Sequence, residues 1–193
     1  MWASVTIKSA GALPLSAEEL RDRLRIDTAA EDDLLAAFLA AGASEIDGPD
    51  GAGVAMMAQT WTRTLDGWAQ EIVLPGWPVT GVSEIRYLDP EGNQQTLAHA
   101  AAFRVVLGRD PARLVRKPGA PLPALLSGPG VVEVDYTLGR TDAAEVDAGL
   151  VAALALLAGH FYENREATAP GQVVEVPLGA RHILDRFRRG VVA

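Results

Sequence analysis

Side chains that could perform chemistry are few in this chain of 193 residues. Of its three histidines, His160 is followed three residues later by Glu163, a helical spacing that can ligate a metal ion. A metal site needs further converging ligands, and the sequence contains no second pair of this kind. We therefore interpret His160 as a hydrogen-bonded residue at the polar end of a buried helix, and predict neither a metal nor another cofactor.

Motifs for nucleophilic or phosphate chemistry are also absent from the sequence. No serine lies in a Gly-x-Ser-x-Gly elbow, and the glycine-rich residues 127–130 lack the Gly-Lys-Ser/Thr ending of a phosphate-binding loop. Cysteine is absent, which excludes disulfides and thiolate catalysis. Carboxylates are plentiful, but their spacing singles out no acid–base pair among Asp32, Asp33, Glu84, Glu133 and Asp135. We predict no catalytic residue and keep a hydrolase as a minor alternative.

Three tryptophans, Trp61, Trp68 and Trp77, lie near Arg63 in a region that alternates as strands do. Aromatic and basic side chains on a sheet can stack nucleobases. The formal net charge of −8 argues against this, because proteins that read DNA sequence usually present a basic face. We favour packing in a core or an interface, with a carbohydrate- or peptide-binding β-sandwich that uses Trp61 or Trp77 as the alternative.

The element that organises the chain is a helix predicted over residues 142–165, opened by a capping box between Asp142 and Glu145. Its apolar stripe consists of Val146, Leu150, Leu154, Leu157 and Phe161, and the remaining positions are also largely apolar. Such a helix is normally buried on more than one side, and a chain of this size can cover one of them. We therefore expect a neighbouring subunit to cover the other, with an interface formed by Val151, Ala155, Leu156 and Tyr162.

Three further helices are predicted, over residues 17–25 and 29–46, each opened by a capping box, and over residues 177–189. Between the helices predicted over residues 29–46 and 142–165, period-two alternation and turn signals predict a run of short strands. The strands are residues 59–65, 71–74, 82–88, 94–97, 103–106, 112–116 and 131–137. Residues 71–74 are expected to pair with residues 59–65. The fold class is α+β, a bundle of about four helices with an inserted small antiparallel β-sandwich or barrel. The helical domain is assigned to residues 1–53 and 138–193, and the β-domain to residues 54–137. No membrane span or signal peptide is expected.

Three stretches resemble, in order and spacing, the head–tail connector (adaptor) proteins of long-tailed phages, including gene transfer agents. Residues 20–27, Leu-Arg-Asp-Arg-Leu-Arg-Ile-Asp, with residues 31–37 resemble the opening of that family. Gln-Thr-Trp at residues 59–61, with the strand and turn of residues 82–92, resembles its middle. Residues 134–139 and then residues 153–165, which end in His-Phe-Tyr-Glu-Asn-Arg, resemble its most typical stretch. Residues 45–57 depart from the family, because they are glycine-rich where relatives usually have an aromatic-rich helix end and a short basic turn.

The resemblance implies a structural role without catalysis or cofactor. Members of this family form a ring, commonly of twelve subunits, under the portal of a DNA-filled head. The ring extends the DNA channel and receives a stopper or tail-terminator protein. Such a protein would be made in the bacterial cytoplasm and would reside in the neck of a virion or phage-like particle, away from membranes.

Family members attach to the portal largely through C-terminal segments. Carried over to this chain, the portal-binding residues are Val174, Val176, Arg181, Leu184, Arg186, Phe187, Arg188 and Arg189. Arginine suits such docking because its guanidinium binds carboxylates through two parallel hydrogen bonds. From the net charge we further hypothesise an acidic channel wall, along which DNA slides without sequence-specific binding, with Glu31, Asp32 and Asp33 as candidates.

Overall fold

The computed structural model describes residues 5–164 and 178–188. The chain divides into two compact units, a β unit of residues 1–11 and 58–139 and a helical unit of residues 12–57 and 140–192. The described residues contain five α-helices and two antiparallel sheets, which confirms the predicted α+β class with an inserted β-structure.

The β unit contains both sheets. The larger one has five antiparallel strands in the order β1 (Val5–Ser9), β2 (Gln59–Leu65), β8 (Val132–Leu138), β4 (Val79–Leu88) and β5 (Gln94–Leu97). The smaller one has the order β3 (Glu71–Leu74), β7 (Ala112–Arg116) and β6 (Phe103–Val106). A short helix, α3 (His99–Ala102), precedes β6 and was not predicted.

Two features of the strand pairing differ from the prediction. Strand β1 was not predicted, and its residues were assigned to the helical domain, yet it pairs with β2 from Val5 opposite Arg63 to Ile7 opposite Trp61. Strand β3 was expected to pair with residues 59–65 but pairs with β7 instead, with Leu74 opposite Ala112. Alternation within a strand shows which face is buried and leaves the neighbouring strand undetermined. The domain boundaries at residues 53/54 and 137/138 stay predictions.

The core of the β unit is built from the inward faces of its strands. Val132, Val134 and Tyr136 of β8 are fully buried on the side that their alternation indicates. Trp61 is 0% exposed and meets Tyr136 edge to face with ring centroids 6.3 Å apart. Gly76 has a φ of 92°, and a Cβ there would lie 2.5 Å from the Trp61 ring. Glycine is required at this position for both reasons.

The helical unit contains α1 (Ala17–Leu24), α2 (Asp32–Ile46), α4 (Ala148–Glu163) and α5 (Leu178–Asp185). Its two longest helices approach closely through small residues, because a Cβ on Gly42 would lie 3.2 Å from the Cβ of Leu157. The same Gly42 position would meet Leu154 at 3.3 Å. The buried aliphatic side chains of this core include Leu35, Leu39, Leu150, Leu154 and Leu157.

The predicted helix over residues 142–165 is shorter than expected and begins at Ala148. The Asp142 carboxylate accepts a hydrogen bond from the backbone of Ala144 at 2.9 Å and opens a separate 3₁₀ turn, Ala143–Glu145. Asp147 then caps α4 by accepting from the backbone of Gly149 at 2.8 Å. A second capping aspartate five residues later therefore sets the helix start.

The N-terminal ends of the other helices follow local hydrogen bonding. The capping box at Ser16 is confirmed, because the Ser16 hydroxyl accepts from the backbone of Glu19 at 3.1 Å and the Glu19 carboxylate accepts from the backbone of Ser16 at 2.8 Å. The predicted box at Thr28 is absent, since Thr28 accepts from Ala30 and closes the 3₁₀ turn Ala29–Glu31 before α2. In the part of the chain that the structure describes, no helix is both long and apolar enough to cross a bilayer.

Candidate functional site

Helix α4 carries the predicted subunit-interface residues. No charged side chain occurs between Asp147 and Glu163, so its outer side is apolar. Leu156 is 44% exposed, and Val151 and Ala155 are partly exposed. A partly exposed apolar strip therefore remains on α4 within one protomer.

Tyr162, the fourth predicted interface residue, is partly exposed and donates a hydrogen bond from its hydroxyl to Glu31. Its ring also meets Phe38 of α2 edge to face at 6.4 Å. Tyr162 thus joins α4 to the start of α2 within the protomer. Its contribution to a contact between subunits stays a prediction.

The C-terminal segment is described over residues 178–188, and Val174, Val176 and Arg189 lie outside the described residues. Arg181, Arg186 and Arg188 are exposed. Leu184 is only 6% exposed, so its side chain anchors α5 within the helical unit and offers little surface to a partner.

Phe187 is half-buried, and its ring lies near α4, because a Cβ on Gly149 would be 3.5 Å from it. The same Cβ would be 3.5 Å from Ile183 of α5. Helix α5 therefore packs on α4 with its apolar side and presents its arginines outward.

The three predicted channel-facing carboxylates differ in their surroundings. Asp32 accepts two hydrogen bonds from Nη1 of Arg21, at 2.9 and 2.7 Å, and Glu31 accepts from Tyr162. Asp33 is exposed at the first turn of α2. Two of the three carboxylates therefore contribute to packing within the helical unit, and Asp33 is the one most open to solvent.

Charge is distributed unequally between the two units. The sequence of the helical unit contains 17 acidic and nine basic residues, and that of the β unit contains eight of each. The helical unit therefore accounts for the whole formal net charge of −8. An acidic surface of this kind repels phosphate and attracts basic protein surfaces.

A charged cluster lies on the face of the five-stranded sheet opposite its core, centred on Asp135. This residue is only 2% exposed. Its carboxylate accepts hydrogen bonds from the Lys8 ammonium, from the Thr62 hydroxyl at 2.6 Å, and from Arg86 at 2.8 and 3.0 Å. Arg86 also donates to Glu133 at 2.8 Å. Each buried charge is thus paired, as burial requires.

These contacts set the protonation state of Asp135. Burial alone would raise its pKa, but the hydrogen bonds from Lys8, Thr62 and Arg86 outweigh burial and hold the pKa of Asp135 below its usual value. The hydrogen bonds to Glu133 and Asp135 likewise raise the pKa of Arg86 against the opposing effect of burial. A carboxylate that stays ionised and fully hydrogen-bonded is suited to stabilising a sheet, and is poorly suited to delivering a proton.

The structure thus brings together three of the carboxylates considered as acid–base candidates. Glu84, Glu133 and Asp135 all lie around Arg86, with Glu84 at 3.3 Å from its Nη1. In residues 5–164 and 178–188, no group of three or more His, Asp or Glu side chains is arranged to hold a metal ion. His160 lies at the end of α4 beside Asn164, whose side-chain amide donates to the carbonyl of His160 at 2.9 Å.

The tryptophans occupy packing positions in the β unit. Trp61 is fully buried, so its ring is closed to a sugar or peptide. Trp68 donates from Nε1 to the carbonyl of Pro123 at 2.9 Å and packs on Tyr87 with ring centroids 5.7 Å apart. Trp77 is half-buried. Trp61 and Trp68 therefore have the packing role that was expected. Trp61 is too buried to serve the alternative of a sugar- or peptide-binding module.

The basic character of the three-stranded sheet was not predicted. Residues 99–117, which contain α3, β6 and β7, include five basic residues and a single acidic one, Asp110. Counting charge along the strand region separately from the whole chain would have revealed this stretch. The net charge of the β unit hides it, because the remaining residues of the unit include seven acidic and three basic residues.

Solved structures of gene transfer agent particles contain chains that are similar to this one over nearly its whole length. One, from the neck of an empty GTA particle computed with C6 symmetry, is 30% identical with a TM-score of 0.76 over 97% of each chain. A second, from the neck of a native GTA particle computed with C12 symmetry, is 28% identical with a TM-score of 0.74 over 97% of each chain. A third, from the virion of a native gene transfer agent particle, is 28% identical with a TM-score of 0.75 over 98% of this chain and 97% of that one. No protein-family model matches the chain, and neither does any curated protein sequence.

Proposed function

The chain belongs to the head–tail connector (adaptor) family of long-tailed phages and gene transfer agents, and from this premise we propose that it is the structural adaptor of a phage-like particle neck. It forms a ring under the portal, extends the DNA channel and joins the head to a stopper or tail-terminator protein. The observation that carries this proposal is the 30% identity and TM-score of 0.76 over 97% of both chains to a GTA neck chain. The protein is made in the bacterial cytoplasm and acts in the assembled particle.

The ring contains twelve copies. The C6 and C12 symmetry used for the similar neck structures supports this number. In a ring, each subunit uses two different surfaces to contact its two neighbours. The partly exposed strip of Val151, Ala155 and Leu156 on α4, with Tyr162 at its end, supplies apolar area for such a contact. Burial of that area in the ring would add to the stability of the contact at about 25 cal/mol per Å² of apolar surface.

The ring binds the portal through the C-terminal segment. Arg181, Arg186 and Arg188 are exposed on α5 and at its end, and Asp185 pairs with Arg188 at 3.6 Å, so this surface has three guanidinium groups and one carboxylate. Guanidinium groups make paired hydrogen bonds with carboxylates, so an acidic surface on the portal is the expected partner. Phe187 adds a half-buried apolar edge to this surface.

DNA passes through the ring without sequence-specific binding. The helical unit, with 17 acidic and nine basic residues, supplies an acidic wall that repels phosphate and so prevents the DNA from adhering. Among the carboxylates predicted for that wall, Asp33 is the most exposed. The lumen of an assembled ring should therefore be negative at this residue, and a strongly basic lumen would contradict this part of the proposal.

The decisive experiment reverses the charge of the C-terminal arginines. Because Ala180 and Leu184 of α5 are buried, deleting the segment would remove packing as well as charge. The variant Arg181→Glu/Arg186→Glu/Arg188→Glu keeps the helix and should lower binding to a purified portal ring by about tenfold or more, since like charges would face each other. Co-migration with the portal in size-exclusion chromatography measures this binding.

The matched control is Arg23→Glu, which reverses an exposed arginine of α1. It should bind the portal as the unmodified chain does, and both variants should keep the helical far-ultraviolet spectrum. Undiminished portal binding by the triple variant would exclude the C-terminal segment as the docking element. Absence of this protein from the necks of purified particles would overturn the adaptor assignment itself.

A further inference from the structure

The outer face of the three-stranded sheet combines apolar and basic residues. Ile72, Leu74 and Leu114 are buried, so they form its inner face. The alternate residues lie on the opposite face, namely Glu71 and Val73 of β3, Arg113 and Val115 of β7, and Arg104 and Val106 of β6. The three valines of this face are partly exposed and Arg104 is fully exposed.

The hairpin between β6 and β7 carries two more exposed residues, one apolar and one basic. Leu107 at its start is 41% exposed, and Arg109 is exposed beside it. Arg113 forms an ion pair with Glu71 across the sheet. In the strand register Arg113 lies between Val73 and Val106, and Val115 lies between Glu71 and Arg104, so valines alternate with charged side chains over this face. Interfaces between proteins combine apolar and polar side chains in this way.

Helix α2 presents the opposite charge. Asp33, Ala37, Ala40, Ala41 and Ser44 follow helical spacing, and all of them are exposed. They lie away from the buried residues of the same helix, Leu35, Leu39 and Ile46. Residues 27–45 contain five acidic residues and no basic residue. The middle of this face therefore consists of small residues, and the exposed carboxylates of α2 are Asp33 and Glu45, because Asp32 is paired with Arg21.

Resting on the ring proposed above, we propose that the outer face of the three-stranded sheet of one copy docks on the exposed face of α2 of the next copy. A ring contact joins two different surfaces of the same chain. The sheet face presents the exposed Arg104 among valines, and α2 presents the exposed Asp33 and Glu45 beside alanines. Opposite charges fix the register in which two such surfaces dock, because other registers would place like charges opposite each other. The partner is a second copy of this chain. A DNA backbone is a less suitable partner, because its phosphates would not bury the apolar side chains of Val73, Val106, Val115 and Leu107.

Engineered cysteines can test this contact, because the chain contains none. The variant Val106→Cys/Ala40→Cys places one thiol on each proposed surface, and both positions are partly or fully exposed. Mild oxidation of particles assembled with this variant should yield a ladder of covalent multimers on a non-reducing gel, because the disulfides join neighbouring copies. The matched control, Gln95→Cys/Ala40→Cys, uses an exposed residue of β5 in the other sheet and should stay monomeric.

Charge exchange supplies a second measurement that does not depend on disulfide geometry. Arg104→Glu/Arg109→Glu should reduce the amount of this protein in purified necks by about tenfold or more, because the face would then repel α2. Adding Asp33→Lys/Glu45→Lys to the same chain should restore much of it. If the cysteine variants do not assemble, this exchange decides the question.

Three results would overturn the inference. Necks that contain the protein but give no ladder would exclude this contact and leave the adaptor assignment intact. A ladder from the control pair as well would show random collision. Arginine reversal that leaves the ring intact and changes the DNA content of the particles would show that this face contacts DNA. Loss of the protein from the necks of unmodified particles would instead contradict the proposed function.

Discussion

The two units differ in where their charges lie. In the β unit, acidic and basic residues are equal in number, and the cluster around Asp135 pairs several of them against the five-stranded sheet. In the helical unit, the excess of eight negative charges is unbalanced within the unit, and α4 keeps a partly exposed apolar strip. The cluster around Asp135 thus pairs its charges within the five-stranded sheet, whereas the strip on α4 is left for a partner to cover.

The sequence offers a way to follow the two units separately. Of the residues that the structure describes, the tryptophans are Trp61, Trp68 and Trp77, and all three lie in the β unit. The longest helices, α2 and α4, lie in the helical unit. Tryptophan fluorescence therefore reports on the β unit and ellipticity at 222 nm chiefly on the helical unit. Three of the four predictions that follow use both signals.

The largest effect is expected for Trp61→Ala. This side chain is fully buried against Tyr136 and Gly76, so its loss should lower the free energy of unfolding of the β unit by about 3–5 kcal/mol. Urea unfolding followed by the fluorescence of the remaining tryptophans measures this change. The control Trp68→Ala, at a partly exposed position, should cost less. Equal shifts of the fluorescence and ellipticity transitions would show that the two units unfold as one.

A smaller effect, about 2–3 kcal/mol, is expected for Asp135→Asn. The substitution leaves Lys8 and Arg86 with a neutral partner on a largely buried face. The fluorescence transition should move, and the ellipticity transition should move less. Glu84→Gln is the matched control, because Glu84 contacts the same Arg86 from a more exposed position. If Glu84→Gln lowers the free energy of unfolding as much as Asp135→Asn does, the stability of the cluster would depend on Arg86 and not specifically on the Asp135 carboxylate.

The same carboxylate predicts a dependence on pH. The pKa of Asp135 is lower in the folded chain than the ordinary aspartate value of about 3.9. Its contribution is therefore fully present above that ordinary value and is lost as the pH falls through the folded pKa. The fluorescence midpoint in urea should decline below about pH 4, and Asp135→Asn should decline less steeply. Parallel declines of the two proteins would show that other carboxylates control the acid stability of the β unit.

The smallest of these effects is expected for Gly42→Leu in the helical unit, at about 1–3 kcal/mol. A Cβ at this position would lie 3.2 Å from Leu157 and 3.3 Å from Leu154, so α2 and α4 must separate to admit a side chain. The ellipticity transition should shift more than the fluorescence transition. Ala37→Leu, on the exposed face of the same helix, should leave both unchanged. An unchanged ellipticity transition in Gly42→Leu would show that the helix contact can loosen freely.

Local hydrogen bonding explains which parts of the fold were accessible from the sequence. The capping box of Ser16 and Glu19 spans three residues and forms as predicted. The strand of Val132, Val134 and Tyr136 is buried on the predicted side, because alternation reports burial directly. The start of α4 was misplaced, because Asp142 and Asp147 are both suitable caps and each closes its own turn. Two adjacent capping signals look alike in a sequence, and the packing of the following residues decides between them.

The candidate surfaces were only partly accessible from the sequence. The apolar character of α4 and the arginines at the C-terminal end can be read from residue types. Residue types do not show that Tyr162 donates a hydrogen bond to Glu31 or that Arg21 pairs with Asp32. They also do not show that Leu184 is buried within the helical unit.

Short-range residue patterns were enough to predict the class of every α-helix and strand except β1 and α3, since helix caps, alternation and charge act over a few residues. The pairing of β1 with β2, the pairing of β3 with β7 and the shared face of Lys8, Arg86 and Asp135 became visible in the folded chain alone. These contacts join residues separated by about 40 to more than 120 positions. Their partners are selected by the packing of whole sheets, for which short-range patterns of residues carry no signal.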